Sequence, residues 1–160
     1  MKKILCIVIS LLFLCSCSSK TSNILPVTKG ICFDAQISYY NEAYECKVNI
    51  AKNGDTEIAF LSPETLLGLK VTYSGNQITA DYNGIKYTYL AENLPQFSVS
   101  DTIYKIFSNT YDEISNKDDS YFVNYSNGDT EYKLYIGATG LPIKIESPYF
   151  IAEIKNATIK

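Results

Sequence analysis

From Ile31 onward the chain alternates. Apolar side chains recur at every second position for four to nine residues, and each run stops at a short polar or glycine-containing turn. Ile31, Phe33, Ala35, Ile37 and Tyr39 are apolar, while Cys32, Asp34, Gln36 and Ser38 alternate with them. A period of two marks a strand with one buried face. The same pattern predicts strands at 44–50, 56–61, 69–73, 78–82, 85–89, 121–126, 130–136, 143–146 and 150–156. Asn-Gly stands at 53–54, 83–84 and 127–128, and Gly-Asn at 75–76. Asn and Gly tolerate positive φ, so these dipeptides favour tight hairpins. The expectation is about nine or ten antiparallel strands, and therefore a mainly β (α+β) domain over 31–160.

Turn positions set the cross-strand partners. The Gly75-Asn76 turn places Tyr73 opposite Ile78 and Val71 opposite Ala80, and the Asn83-Gly84 turn places Tyr82 opposite Ile85 and Ala80 opposite Tyr87. One face then carries Leu69, Val71, Tyr73, Ile78, Ala80, Tyr82, Ile85, Tyr87 and Tyr89. A loop at residues 42–43 would place Tyr39 opposite Cys46 and Ile37 opposite Val48. Cys32 then lies on the other face from Cys46, beyond disulfide reach. One helix is predicted from Ser98 or Ser100. Val99, Ile103, Ile106, Phe107 and Ile114 fall at helical spacing, Asp101 suits the first turn, and 116–119 end it.

The start of the chain reads differently. Met1-Lys2-Lys3 precedes an apolar stretch of about a dozen residues, too short to span a bilayer and typical of an export signal. It ends in Leu14-Cys15-Ser16-Cys17, which resembles the lipobox of bacterial lipoproteins. Ser16 supplies the small residue before the cleavage site, and Cys17 the thiol that takes a diacylglyceryl group. Leu14 is too large to precede a cut at Cys15. Residues 1–16 are therefore assigned to the signal, 17–30 to a flexible tether rich in small polar residues, and the anchor to the extracytoplasmic face of the cell membrane through diacylglyceryl-Cys17. Two acyl chains make a stable anchor where one does not.

Composition narrows the function. The 144 residues after the signal suffice for one domain with its own core. Twelve lysines then face seventeen acids, a net charge of −5, with no arginine. That argues against a nucleic-acid partner and against bidentate recognition of phosphate. Histidine is absent, which removes the imidazole base of most hydrolases and a common metal ligand. The segment Asn53–Glu57 recurs as Asn127–Glu131, which reads as repeated turn chemistry rather than a calcium loop. Asp112-Glu113 and Asp118-Asp119 do not converge on a common point. No catalysis, cofactor or metal is expected.

Fourteen tyrosines remain to be explained. On strand faces they serve as core and rim, or they line a site for an apolar ligand with their hydroxyls at a wet mouth. In the second case the contact residues would be Ile37, Tyr39, Val48, Val71, Tyr73, Ile78, Ala80, Tyr87 and Tyr89 from the sheet and Ile103 and Phe107 from the helix. A single helix leaves much of so wide a sheet uncovered, so the sheet curls on itself or leaves a cavity.

Phe33-Asp34-Ala35-Gln36-Ile37, the connection Ser62–Leu69, the turns Tyr73–Asn76 and Tyr82–Gly84, and Thr139-Gly140-Leu141-Pro142-Ile143-Lys144-Ile145-Glu146 together resemble the LolA (lipoprotein carrier, LppX-like) superfamily over roughly 31–157. The resemblance implies a half-open antiparallel β-barrel, with helix as plug or lid of a cavity for acyl chains. Relatives carry lipoproteins, transport lipids or sense envelope state. The carriers' first helix is missing here or reduced to 23–29, and their cavity arginine is absent, so lipoprotein trafficking does not carry over. The resemblance implies binding of a lipid or other hydrophobic ligand; the alternative is a cell-surface protein-interaction or envelope-sensing module with an envelope protein as partner.

Overall fold

The computed structural model describes residues 24–90, 98–111, 114–117 and 120–160. Ser16, Cys17 and the other residues of 1–23, assigned from the sequence to a signal and the start of a tether, lie outside them, as do Asp112, Glu113, Asp118 and Asp119. The elements are β1 (Ile31–Tyr39), β2 (Glu42–Ile50), β3 (Thr56–Ser62), a 3-10 turn (Glu64–Leu66), β4 (Leu69–Ser74), β5 (Gln77–Tyr82), β6 (Ile85–Leu90), α1 (Val99–Ser108), β7 (Ser115–Lys117), β8 (Ser120–Asn127), β9 (Thr130–Ile136), β10 (Pro142–Glu146) and β11 (Phe150–Ile159). Residues 24–28 have no regular structure; they run along the β9–β10 turn, where the Val27 amide donates to the Gly140 carbonyl at 2.8 Å.

All eleven strands join one antiparallel sheet, ordered β6-β5-β4-β3-β2-β1-β11-β10-β9-β8-β7. The pairing of β1 with β11 brings the two ends of the domain together, and the chain passes from edge β6 to edge β7 by way of α1. The sheet is not closed. It must nevertheless curl. The hydroxyl of Tyr73 in β4 bonds Ser100 of α1, while the charges of Asp101 and Lys105 act on Tyr132 in β9. Those strands stand six places apart, about 29 Å on a flat sheet. Ten helical residues span only about 15 Å. One short helix reaches both because the sheet wraps around it.

The helix buries one flank and is capped at both ends. Ser98 is the N-cap, its hydroxyl accepting from the Asp101 amide at 3.2 Å. At the other end Asn109 is extended and the Tyr111 hydroxyl donates to the Ile106 carbonyl at 2.7 Å, satisfying a group the helix leaves open. Val99, Ile103, Ile106 and Phe107 are buried against the sheet.

Three expectations need correction. There are eleven strands rather than nine or ten. The helix does not continue to Ile114: it stops at Ser108, and Ser115–Lys117 instead pairs with β8 as an edge strand. The first hairpin turns at residues 40–41, so Tyr39 pairs with Glu42 rather than Cys46, and Ile37 with Tyr44 rather than Val48. Tyr40 itself takes the positive-φ position (φ 52°) that the expectation left for a longer loop. Because the slip is an even number of residues, every side chain keeps its face. Cys46 is thus opposite Ala35 on the inner face, Cys32 opposite Asn49 on the outer one, and both thiols are free. The pairings on either side of β5 agree in full with those read from the turns.

Candidate functional site

The concave side of the sheet has two parts, one covered by α1 and one bare. Under the helix lie seven of the residues named as ligand contacts: Ile37, Val48, Val71, Tyr73 and Ile78 from the sheet, with Ile103 and Phe107 from α1, all buried. Phe107 meets Phe33 with ring centroids 5.1 Å apart, and Tyr104 stacks on Tyr73 at 4.3 Å. The structure brings these seven into one packed core. Alternation along β1, β2, β4 and β5 put the five sheet side chains on this face, and the apolar flank of α1 supplied the other half of the contact.

Polar groups thread this core. The Tyr73 hydroxyl donates to Ser100 Oγ at 3.0 Å, and Ser98 Oγ lies 3.4 Å further on. Burial pushes the Tyr73 phenol up, while the Ser100 hydrogen bond pulls weakly the other way. Asp101, itself buried, is held by Lys105 at 2.9 Å one helical turn on. Burial also raises the phenols of Tyr125 and Tyr132, which face this ion pair.

Beyond the helix the same face is open. On β4–β6 it continues as Leu69, Ala80, Tyr82, Ile85, Tyr87 and Tyr89. Ile85 is 60% and Tyr87 69% exposed, and Tyr82 is exposed as well. Ala80 and Tyr89 are half-buried. Of the residues named from the sequence, Tyr87 lies on this exposed wing, while Ala80, opposite Val71, and Tyr89, opposite Ile78 and packed against the core, form its border with the packed seven.

Tyr39 belongs to a third group. It is half-buried at the far end of β1, where the 40–41 and 147–149 turns meet. Tyr39, Tyr40, Tyr132, Tyr149, Phe150 and Thr130 line a cleft of about 110 Å³. Tyr40 stacks on Tyr149 at 5.2 Å, Tyr39 meets Tyr40 edge-on at 4.8 Å, and Phe150 meets Tyr39 at 6.0 Å and Tyr132 at 6.1 Å. Sequence reading missed Tyr40, Tyr149 and Phe150 as partners. The available signal was the Tyr39-Tyr40 doublet at a turn, which the β1–β11 pairing sets against Tyr149-Phe150. Two further hollows formed by the described residues open elsewhere: one of about 230 Å³ at Asp34, Gln36, Glu45 and Lys155, and one of about 360 Å³ at Glu131, Lys133, Tyr135 and Glu146.

Among the described residues, an open eleven-stranded antiparallel sheet wraps around one helix and leaves apolar side chains of β5 and β6 exposed, the architecture of a half-barrel. Solved structures with a similar fold follow. An uncharacterized conserved protein from Thermus thermophilus is similar with a TM-score of 0.51 at 11% identity, over 83% of this chain and 81% of that one. A LolA superfamily protein from Nitrosomonas europaea gives a TM-score of 0.47 at 10% identity, over 86% and 89%. LprF from Mycobacterium bovis gives 0.39 at 11%, over 83% and 90%. The superfamily recognised in the sequence is thus present among the structural neighbours. No protein-family model and no curated protein sequence matches the chain.

Proposed function

We propose that this is an envelope lipoprotein, anchored through diacylglyceryl-Cys17 on the extracytoplasmic face of the membrane. In this reading its half-barrel binds a lipid or other hydrophobic ligand and performs no catalysis. One observation carries the reading: the apolar inner face does not end where α1 ends. Tyr82, Ile85 and Tyr87 continue the row of residues that elsewhere forms the core, yet they are exposed. Exposed apolar surface that is contiguous with a core favours an apolar occupant. The ligand would lie along β4–β6 with its end against the flank of α1, where Tyr89 and Tyr104 are half-buried.

The test uses the intact acylated chain in non-ionic detergent. Extraction followed by mass spectrometry should return a bound lipid beyond the covalent acyl groups. A fluorescent fatty acid should bind saturably, and Ile85→Asp with Tyr87→Asp should abolish that binding while leaving the fold intact. An empty protein that ignores acyl probes would refute the reading. A second reading, a protein-interaction or envelope-sensing module, is favoured by the dense packing of the seven residues beneath α1. It would be preferred if the same double variant abolished crosslinking to an envelope protein without any effect on lipid.

A further inference from the structure

We propose that the aromatic cleft at the distal end of the half-barrel binds a methylated ammonium group. This site is separate from the bare wing, with which it shares no residue. Five aromatic residues and one threonine line it: Tyr39, Tyr40, Tyr132, Tyr149, Phe150 and Thr130. Aromatic faces carry negative potential, and an ammonium over such a face is attracted to it, more so when its methyl groups lower the cost of leaving water. The size agrees. A cleft of about 110 Å³ has room for a small methylated nitrogen.

The charge agrees as well. Glu42 is the direct cross-strand partner of Tyr39 and so projects from the same face beside it, and it is exposed. None of the lining residues is basic. Lys105, whose charge reaches Tyr132, is already held by Asp101 at 2.9 Å. A cation entering the cleft therefore meets rings, with the Glu42 carboxylate outside the lining but on the same face of the sheet. A neutral sugar or aliphatic group would gain nothing from Glu42, and an anion would be repelled.

The backbone adds an independent observation. Tyr40 occupies a left-handed position (φ 52°) in a tight hairpin, a place where asparagine or glycine is favoured and where a bulky residue is unusual. Asn41 stands directly beside it. The unfavourable placement sets the Tyr40 ring against Tyr149, and the Tyr40 amide donates to the Tyr149 carbonyl at 2.9 Å, which fixes the pair as one wall. Conformational strain retained at one residue points to a use for its side chain.

The experiment titrates the intact acylated chain, in a maltoside detergent, with choline chloride and with tetramethylammonium chloride. Calorimetry and tyrosine fluorescence provide the readouts; the chain contains no tryptophan to obscure the latter. Saturable binding is expected at about 1 mM, a strength suited to a small cation in a part-open cage. The neutral isostere 3,3-dimethyl-1-butanol should bind at least tenfold more weakly. Tyr40→Asn removes a ring while suiting the turn, so it should fold normally and weaken choline about fivefold. Tyr149→Phe keeps the ring face and should stay within about twofold, and Glu42→Gln should lose about threefold. Glycerophosphocholine, the deacylated headgroup, separates the sources: tighter binding than choline assigns the site to a lipid headgroup, weaker binding to a free solute. Equal binding of the neutral isostere, or no saturation by 100 mM choline, overturns the proposal. Since fatty-acid binding at the wing is read by a different probe and different variants, either reading can fail alone.

Discussion

Phe107→Ala asks whether α1 is a structural plug or a movable cover. Phe107 is 1% exposed, and its ring lies 5.1 Å from that of Phe33. A phenylalanine side chain buries about 200 Å². At about 25 cal/mol per Å² the lost transfer term is at most about 5 kcal/mol, since the unfolded chain already hides part of that area. Measured phenylalanine-to-alanine losses in cores run about 3–5 kcal/mol, cavity term included. We therefore expect a loss near 4 kcal/mol. For a domain of this size that corresponds to a fall in Tm of roughly 15 °C. Tyr87→Ala, on the bare wing, is the control. That side chain is 69% exposed, and its loss should cost no more than about 0.5 kcal/mol. Urea titration followed by circular dichroism gives both values, and the slope m checks that the unfolded reference is unchanged. A Phe107→Ala loss below about 1 kcal/mol, with fast exchange of the α1 amides, would refute the packed-plug account. Ligand would then have room beneath the helix rather than beside it.

The remaining predictions draw on single contacts. Tyr73→Phe removes the buried hydroxyl that donates to Ser100 and should cost about 1 kcal/mol by urea denaturation. Burial, with a smaller contribution from the charge of Asp34, pushes the Cys46 thiol from 9.0 up to about 12. A folded value raised in this way leaves stability whole below pH 9 and removes it as pH rises through 12, so alkylation of Cys46 at pH 8 should require unfolding, as peptide mass mapping in native and denaturing buffer would reveal. Cys17→Ala should abolish metabolic labelling with palmitate and leave the precursor uncleaved. Gly140 has φ 79°, and a Cβ there would collide with the Leu25 carbonyl; Gly140→Ala should loosen residues 24–28, detected as faster hydrogen exchange at the Val27 amide.

What could be read from the sequence, and what could not, follows a physical line. Where an Asn-Gly or Gly-Asn dipeptide sets a turn, as on either side of β5, the pairing followed residue by residue, because a two-residue turn with Gly75, or with Asn83 and Gly84, at positive φ fixes how the chain reverses. Where the turn used a tyrosine in that conformation, the register of β1 and β2 moved by four residues, and the faces survived only because four is even. The helix end was illegible for another reason: Tyr111 satisfies the Ile106 carbonyl from outside the helix, and a side-chain contact of that kind leaves no trace in the 3.6-residue period. The same limit applies to the site. Alternation assigned Val71, Tyr73, Tyr87 and Tyr89 to one face, but it cannot say how far along that face a ten-residue helix will reach. The boundary falls between Ile78, which is 1% exposed, and Tyr87, which is 69% exposed and lies on the adjacent strand. That boundary is set by the ratio of helix length to sheet width. A helix about 15 Å long cannot cover eleven strands, even curled ones. Among the described residues the uncovered wing therefore follows from this ratio, and lengthening α1, rather than polishing the wing, is the change that would cover it.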